Sequence, residues 1–378
     1  MGKYIFIKPE DTLFFRDGRP FERGIENFAR SIFPPYPSVF YGAIRTASIL
    51  AKATLFDYKS NESNKELTAA VGDENKLGTI EIRGPFIRHE DGQVYVPLPF
   101  DVLIQDHGDF FKVSQTDCDF CSNLPVSIKK LALPGEDKEG KYKEYFVNLA
   151  DLIQYYLVRF DNEAIKKSLK EAEKIFSLEH KVGVKIDRGS RTTQEGYLYS
   201  AAHIRMDDGY GFLIYVENDG DFLPDEGYLR LGGDTRTAHF EKLEGDLLHS
   251  LCEDIKQSVT GNYLKFVLLT PAIFEKGWYP DFLNVENGSF TGDFNGLTLK
   301  LSSAVLGKPI YCGGFDIKRK HPKAMKRAVP AGSVYFFEVI NSNGSSLPEF
   351  AARNSFTSVE TNEYYKKQGF GIALIGGG

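Results

Sequence analysis

Four loops in this chain share one chemistry. Phe15-Arg16-Asp17-Gly18-Arg19-Pro20-Phe21-Glu22-Arg23 sets three guanidinium groups around a tight turn. Asp187-Arg188-Gly189-Ser190-Arg191-Thr192-Thr193 repeats the pattern with hydroxyls added. Arg230-Leu231-Gly232-Gly233-Asp234-Thr235-Arg236-Thr237 is a third version, and Lys318-Arg319-Lys320-His321-Pro322-Lys323 a fourth. Arginine forks a phosphate bidentately, and glycine lets backbone N–H groups come close to one. Hydroxyls add contacts to phosphate or sugar. Arginine in a turn is ordinarily solvated or paired with an acid, so one such loop says little. Four in one chain favour a grip on an RNA backbone.

Catalytic sets are present only as fragments. Cys118-Asp119-Phe120-Cys121 is half a zinc pattern: structural zinc takes four ligands, Cys252 and Cys312 are single and distant, and His107 adds a third ligand at best. We read these cysteines as incidental. Asp207-Asp208-Gly209 and Gly232-Gly233-Asp234 are similar to the palm of polymerases and cyclases, but two-metal chemistry needs several converging carboxylates. Asp207-Asp208-Gly209 is equally good turn chemistry. RNA cleavage without metal calls for a general acid and base, most often His. The histidines at 89, 107, 180, 203, 239, 249 and 321 are scattered, and none lies in the basic N-terminal segment. His203, beside Arg205, reads as a structural histidine. Gly369-Phe370-Gly371 opens no strand-to-helix turn of the kind that binds a dinucleotide. The expectation is therefore no catalytic residue, no metal and no cofactor.

Composition sets the frame for these loops. A chain of 378 residues suits about two domains, and 42% hydrophobic content excludes wholesale disorder. No apolar run approaches the roughly 18 residues of a membrane span. Tyr4-Ile5-Phe6-Ile7 reads as a buried strand and not as a signal peptide. Four cysteines make no disulfide framework, which points to the cytoplasm. The net charge is −6, yet residues 1–52 carry +3, residues 181–205 carry +3 and residues 311–331 carry +5. The remainder carries −17, so a phosphate-binding surface on an acidic body is compatible with the total, as is chance clustering of solvated charge.

The elements that must position these loops follow from periodicity. Val39, Phe40, Ala43, Ile44, Ala47, Leu50 and Ala51 predict a helix over 38–55, with Ser38 as its N-cap. Ile165, Leu169, Ala172 and Phe176 predict a second over 161–178, and a third is expected at 245–258. Strands are expected near 79–87, 93–98, 263–269, 297–305 and 333–340. Segments 196–206 and 210–217 flank Asp207-Asp208-Gly209 as a hairpin. The order implies an α+β chain of antiparallel sheets with helices on one face. Two ferredoxin-like βαββαβ units satisfy it: residues 1–150, with an insertion over about 57–150, and residues 151–378.

The signature Asp11-Thr12-Leu13-Phe14-Phe15-Arg16-Asp17-Gly18-Arg19-Pro20-Phe21 resembles the opening of the third-subunit family of Cmr complexes. These are RAMP-superfamily proteins of type III-B CRISPR–Cas effectors. The likeness continues through Phe33-Pro34-Pro35-Tyr36-Pro37, Val182-Gly183-Val184-Lys185-Ile186-Asp187-Arg188, Leu231-Gly232-Gly233-Asp234 and Arg327-Ala328-Val329-Pro330-Ala331-Gly332 to Gly369-Phe370-Gly371. Residues 57–180 carry least of it. The resemblance implies a non-catalytic subunit that holds the 5′ repeat-derived tag of a CRISPR RNA. It also implies docking to a large palm-containing subunit and an adjacent backbone RAMP subunit. It further implies RNA contact by Gly-rich stretches at 231–234 and 369–376, and at Arg16, Arg19, Arg45, Lys185, Arg188, Arg191, Arg230, Gly232, Gly233 and Arg236. Arg45 has the alternative of neutralising a carboxylate. Lys318, Arg319, Lys320, Lys323, Lys326 and Arg327 face either RNA or the large subunit. The other reading in the superfamily is a metal-independent endoribonuclease for precursor RNA, for which Tyr36 and Tyr41 are available.

Overall fold

The computed structural model describes residues 2–16, 28–59, 65–73, 76–104, 110–119, 126, 128–132, 144–186, 189, 192–316 and 321–378. The chain is rich in strand and forms two units, each drawn from three separated segments. Unit 1 comprises residues 1–91, 173–243 and 311–326; unit 2 comprises 92–172, 244–310 and 327–378. This interleaving differs from the consecutive division expected above, because strands after residue 173 pair with the first strand of the chain. No helix among the described residues is long and apolar enough to cross a membrane.

In unit 1 five strands pair antiparallel. They are β1 (Lys3–Pro9), β2 (Glu81–His89), β5 (Tyr210–Glu217), β6 (Glu226–Arg230) and β7 (Thr237–Leu243). Their order is β2-β5-β1-β7-β6, so β1 lies at the centre and β6 on the outside. β3 (Phe176–Ile186) and β4 (Thr193–Met206) form a separate long antiparallel ribbon. One face of the five-stranded sheet carries Ile5, Ile7, Phe212, Ile214, Leu229, Ala238 and Phe240. Helix α1 (Pro37–Leu50) packs there through Phe40, Ile44 and Ala47, which recur at helical spacing. Phe40 and Ile44 are fully buried, and each contributes about 2 kcal/mol relative to exposure. The helix begins with Pro37 in its first turn and Tyr36 as N-cap, with no side-chain cap, so the expected Ser38 cap is not used. Proline's fixed φ and missing N–H suit that position.

Two local expectations fail for one reason, long-range pairing. Of the helix expected over 161–178, only Asn162–Ser168 forms. Leu169–Glu171 is a strand pairing with Tyr145–Val147, and Phe176 opens β3. The expected hairpin is a turn between two sheets: β4 pairs with β3, while β5 pairs with β1 and β2.

Unit 2 holds a seven-stranded antiparallel sheet. Tyr263–Leu268 lies between Val334–Asn341 and Ile372–Gly377. The glycine-rich stretch from Ile372, which the resemblance implied would approach RNA, is thus a buried interior strand. Lys265 lies fully buried there with Asp101 at 3.4 Å, and Tyr156 donates its hydroxyl to Asp101 at 2.7 Å.

Candidate nucleic-acid interface

Three sequence-distant pieces of unit 1 meet around the signature segment. Leu13 exchanges backbone hydrogen bonds with Ile204 of β4, at 2.7 and 2.8 Å. The Gly233 N–H donates to the Phe14 carbonyl at 2.7 Å. The turn from Arg230 to Thr237 is therefore locked against residues 13–15. Gly232 is required there, because it has φ +80° and a Cβ would meet the Phe14 carbonyl oxygen at 2.5 Å. The glycines expected to bring N–H groups to phosphate thus serve this packing first, and the Gly233 N–H is already engaged. Asp234 and Thr235 follow in the left-handed region at φ 54°.

Side chains around this junction form one polar network. Asp11 accepts from Arg236 at 2.8 Å and from Arg205 at 3.2 Å. Glu179 accepts from the Arg205 Nε at 2.7 Å and faces Lys181 at 3.3 Å. Lys181 donates to the Thr12 hydroxyl at 2.7 Å, and that hydroxyl lies 3.4 Å from the His203 Nδ1. The His203 Nε2 is 3.5 Å from Asp234, and the Phe14 ring stacks on the imidazole at 5.0 Å.

These contacts set the protonation states. The Thr12 N–H, with Lys181, Arg236 and Arg205, holds the Asp11 carboxyl below the usual carboxylate range. The hydrogen bond from Arg205 does most to lower Glu179. Burial pushes His203 down, and Lys181 and Arg236 add to that, so its imidazole is neutral at neutral pH. Lys181, Arg205 and Arg236 thus stand against Asp11, Glu179 and Asp234 in a balanced cluster. A phosphate entering here competes with carboxylates already in place.

The expected contact residues fare unequally. Arg230, Gly232, Gly233 and Arg236 come together on one turn, and the segment carrying the exposed Arg16 adjoins it. Arg230 is exposed and makes no ion pair among the described residues. Arg45 is elsewhere: its guanidinium donates to the carbonyls of Val71, Gly72 and Asp73, at 2.5, 3.1 and 2.8 Å. It closes the C-terminus of helix α2 (Lys65–Val71), where carbonyls lack helical partners. Lys185 lies where a register shift interrupts the β3–β4 pairing. Lys323, Lys326 and Arg327 are exposed. Arg19, Arg188, Arg191, Lys318, Arg319 and Lys320 lie outside the described residues. So does Cys121, and no group of His, Cys, Asp or Glu among the described residues is placed to hold a metal. Sequence reasoning missed Asp11, Thr12, Glu179 and Lys181, although Asp11-Thr12 opens the signature itself.

Comparison with known proteins supplies the family. The family model described as "CRISPR-associated protein (Cas_Cmr3)" matches residues 5–377. A relative from Saccharolobus solfataricus, "CRISPR system CMR subunit Cmr3", is 25% identical over 346 residues, covering 90% of this chain and 88% of its own. Among solved structures, a chain of the type III-B Cmr-beta complex bound to cognate target RNA and AMPPnP matches with a TM-score of 0.50 and 20% identity. That match covers 88% of this chain and 86% of the other. The same complex bound to cognate target RNA alone matches with a TM-score of 0.50 and 21% identity, over the same shares. The chain belongs to the Cmr3 family of CRISPR-associated proteins.

Proposed function

We propose that this chain is a non-catalytic, RNA-holding subunit of a type III-B Cmr effector complex in the cytoplasm, with each unit a ferredoxin-like RAMP fold. In this role it holds the 5′ repeat-derived tag of the CRISPR RNA. It docks to the large palm-containing subunit and to an adjacent backbone RAMP subunit. The observation that carries the reading is the extent of the family match, which runs through the signature segment, the β3–β4 ribbon and the glycine turn alike. The exposed Arg230 beside that turn supports it on physical grounds, since a guanidinium with no ion pair among the described residues is available to a phosphate without first losing a carboxylate.

Native mass spectrometry of the complex that co-purifies with the tagged chain tests the assembly. CRISPR RNA and a palm-containing subunit are expected in it, and a chain that travels alone refutes the reading. The pair Arg188→Ala and Arg191→Ala should weaken tag binding and flatten the salt dependence by about two in log–log slope. Unchanged affinity in the assembled variant removes that loop from the RNA path. Site-specific cleavage of repeat RNA by the pure chain in EDTA would overturn the non-catalytic part in favour of an endoribonuclease.

A further inference from the structure

Strand β6 is the outer strand of the unit 1 sheet, and its side chains alternate between two environments. Leu229 points into the core against α1. Glu226, Tyr228 and Arg230 therefore share the opposite face. Tyr228 is 66% exposed, unusual for a ring that has a core within one residue of it. Among the described residues its ring contact is with one partner. His239 stands directly across from it in register on β7, with ring centroids 5.2 Å apart at 63°. That edge-to-face seat fixes the phenol ring and leaves the rest of its surface to solvent.

The charges along this face have a direction. At one end Glu226 lies across from Glu241, a pair that repels phosphate. At the other, Arg230 lies across from Thr237 and leads into the glycine turn. Tyr228 and Arg230 are two strand residues apart, roughly 7 Å. A flat π surface followed by a guanidinium and a hydroxyl matches one unpaired nucleotide, whose base offers a π face and whose backbone offers a charge and a sugar hydroxyl.

We propose that Tyr228, seated on His239, is a stacking platform for one unpaired base of a single-stranded RNA, with that nucleotide's phosphate on Arg230. The site rests on the RNA-holding function proposed above and adds a base contact to its backbone grip. Stacking on one tyrosine reads every base alike, so the platform adds affinity and register and leaves sequence unread. Duplex RNA has no free base face and does not use it.

The test uses the full-length chain and a short fluorescent single-stranded RNA carrying 2-aminopurine, titrated by anisotropy at low salt. Tyr228→Ala should weaken binding by roughly five- to hundredfold, the range of one base–aromatic stack, and abolish the 2-aminopurine quench. Tyr228→Phe should keep both, and duplex RNA should show no difference among the three proteins. Arg230→Gln should lower the salt slope by about one while keeping the quench. If Tyr228→Ala binds and quenches like the wild type while Arg230→Gln weakens binding, the platform is refuted and the backbone grip stands. If the wild-type chain binds no RNA at low salt, both fall together.

Discussion

Glu360 provides a quantitative test of how unit 2 is held. Its side chain is 5% exposed. One carboxyl oxygen accepts from the Ile273 N–H, while Oε2 has no hydrogen-bond partner among the described residues. Burial pushes this carboxyl up to about 8, against the Ile273 N–H that lowers it, and Asp281 and Glu275 raise it further. In the unfolded chain the same group ionises near 4.5. Because the folded value is raised, its contribution to stability is fully present below about pH 4.5 and is lost as pH climbs to about 8. At about 1.4 kcal/mol per unit the full swing is about 5 kcal/mol. Roughly 3 kcal/mol of it falls between about pH 5.5 and 8.5. Glu360→Gln keeps an acceptor for Ile273 and removes the titration. It also leaves amide donors where Oε2 stood, at a pH-independent cost of about 1–3 kcal/mol. The assay is urea unfolding followed by fluorescence of Trp278, the sole tryptophan, which lies in the same unit. The variant should gain on the wild type by about 3 kcal/mol between those two pH values. A difference that stays constant over that range refutes the argument, since only a buried, protonated carboxyl produces the slope.

Other residues make further tests. Arg45→Met should destabilise unit 1 by about 2 kcal/mol through three lost carbonyl contacts, seen as earlier proteolysis around residues 65–73, with RNA affinity unchanged. Asp11→Asn should strengthen RNA binding by about threefold and steepen its salt dependence, because Arg236 and Arg205 lose a half-exposed carboxylate; anisotropy at several salt concentrations reads both. Lys265→Met should cost about 3–5 kcal/mol in the Trp278 assay by leaving Asp101 buried beside Tyr156 alone, and adding Asp101→Asn should recover part of that.

What could be read along the chain was whatever depends on near neighbours. The buried strand at Tyr4–Ile7, the helix carrying Phe40 and Ile44, and the strands near 81, 263, 297 and 334 all show their periodicity locally. Leu169–Glu171 and Phe176 fit the helical spacing, yet β pairing with Tyr145–Val147 and with Met206 takes them, and spacing carries no information about such partners. The same limit governs the interface. The arginines were visible as a chemical class, but their states were not. Asp11 lies 225 residues from Arg236 and 194 from Arg205, and Arg45 meets carbonyls of another helix. Tyr228 had a faint signal, an aromatic two residues before an arginine that leads into Gly-Gly, and only the outer position of its strand gives that meaning. The consequence is a ranking the sequence alone does not supply. Arg230, without an ion-pair partner among the described residues, can meet phosphate directly. Arg236 must first release Asp11, whose carboxyl the Thr12 N–H and the surrounding cations hold in its charged form. Phosphate contact at Arg230 should therefore outlast contact at Arg236 as salt rises, and the order in which the two substitutions change RNA affinity across a salt series measures that difference.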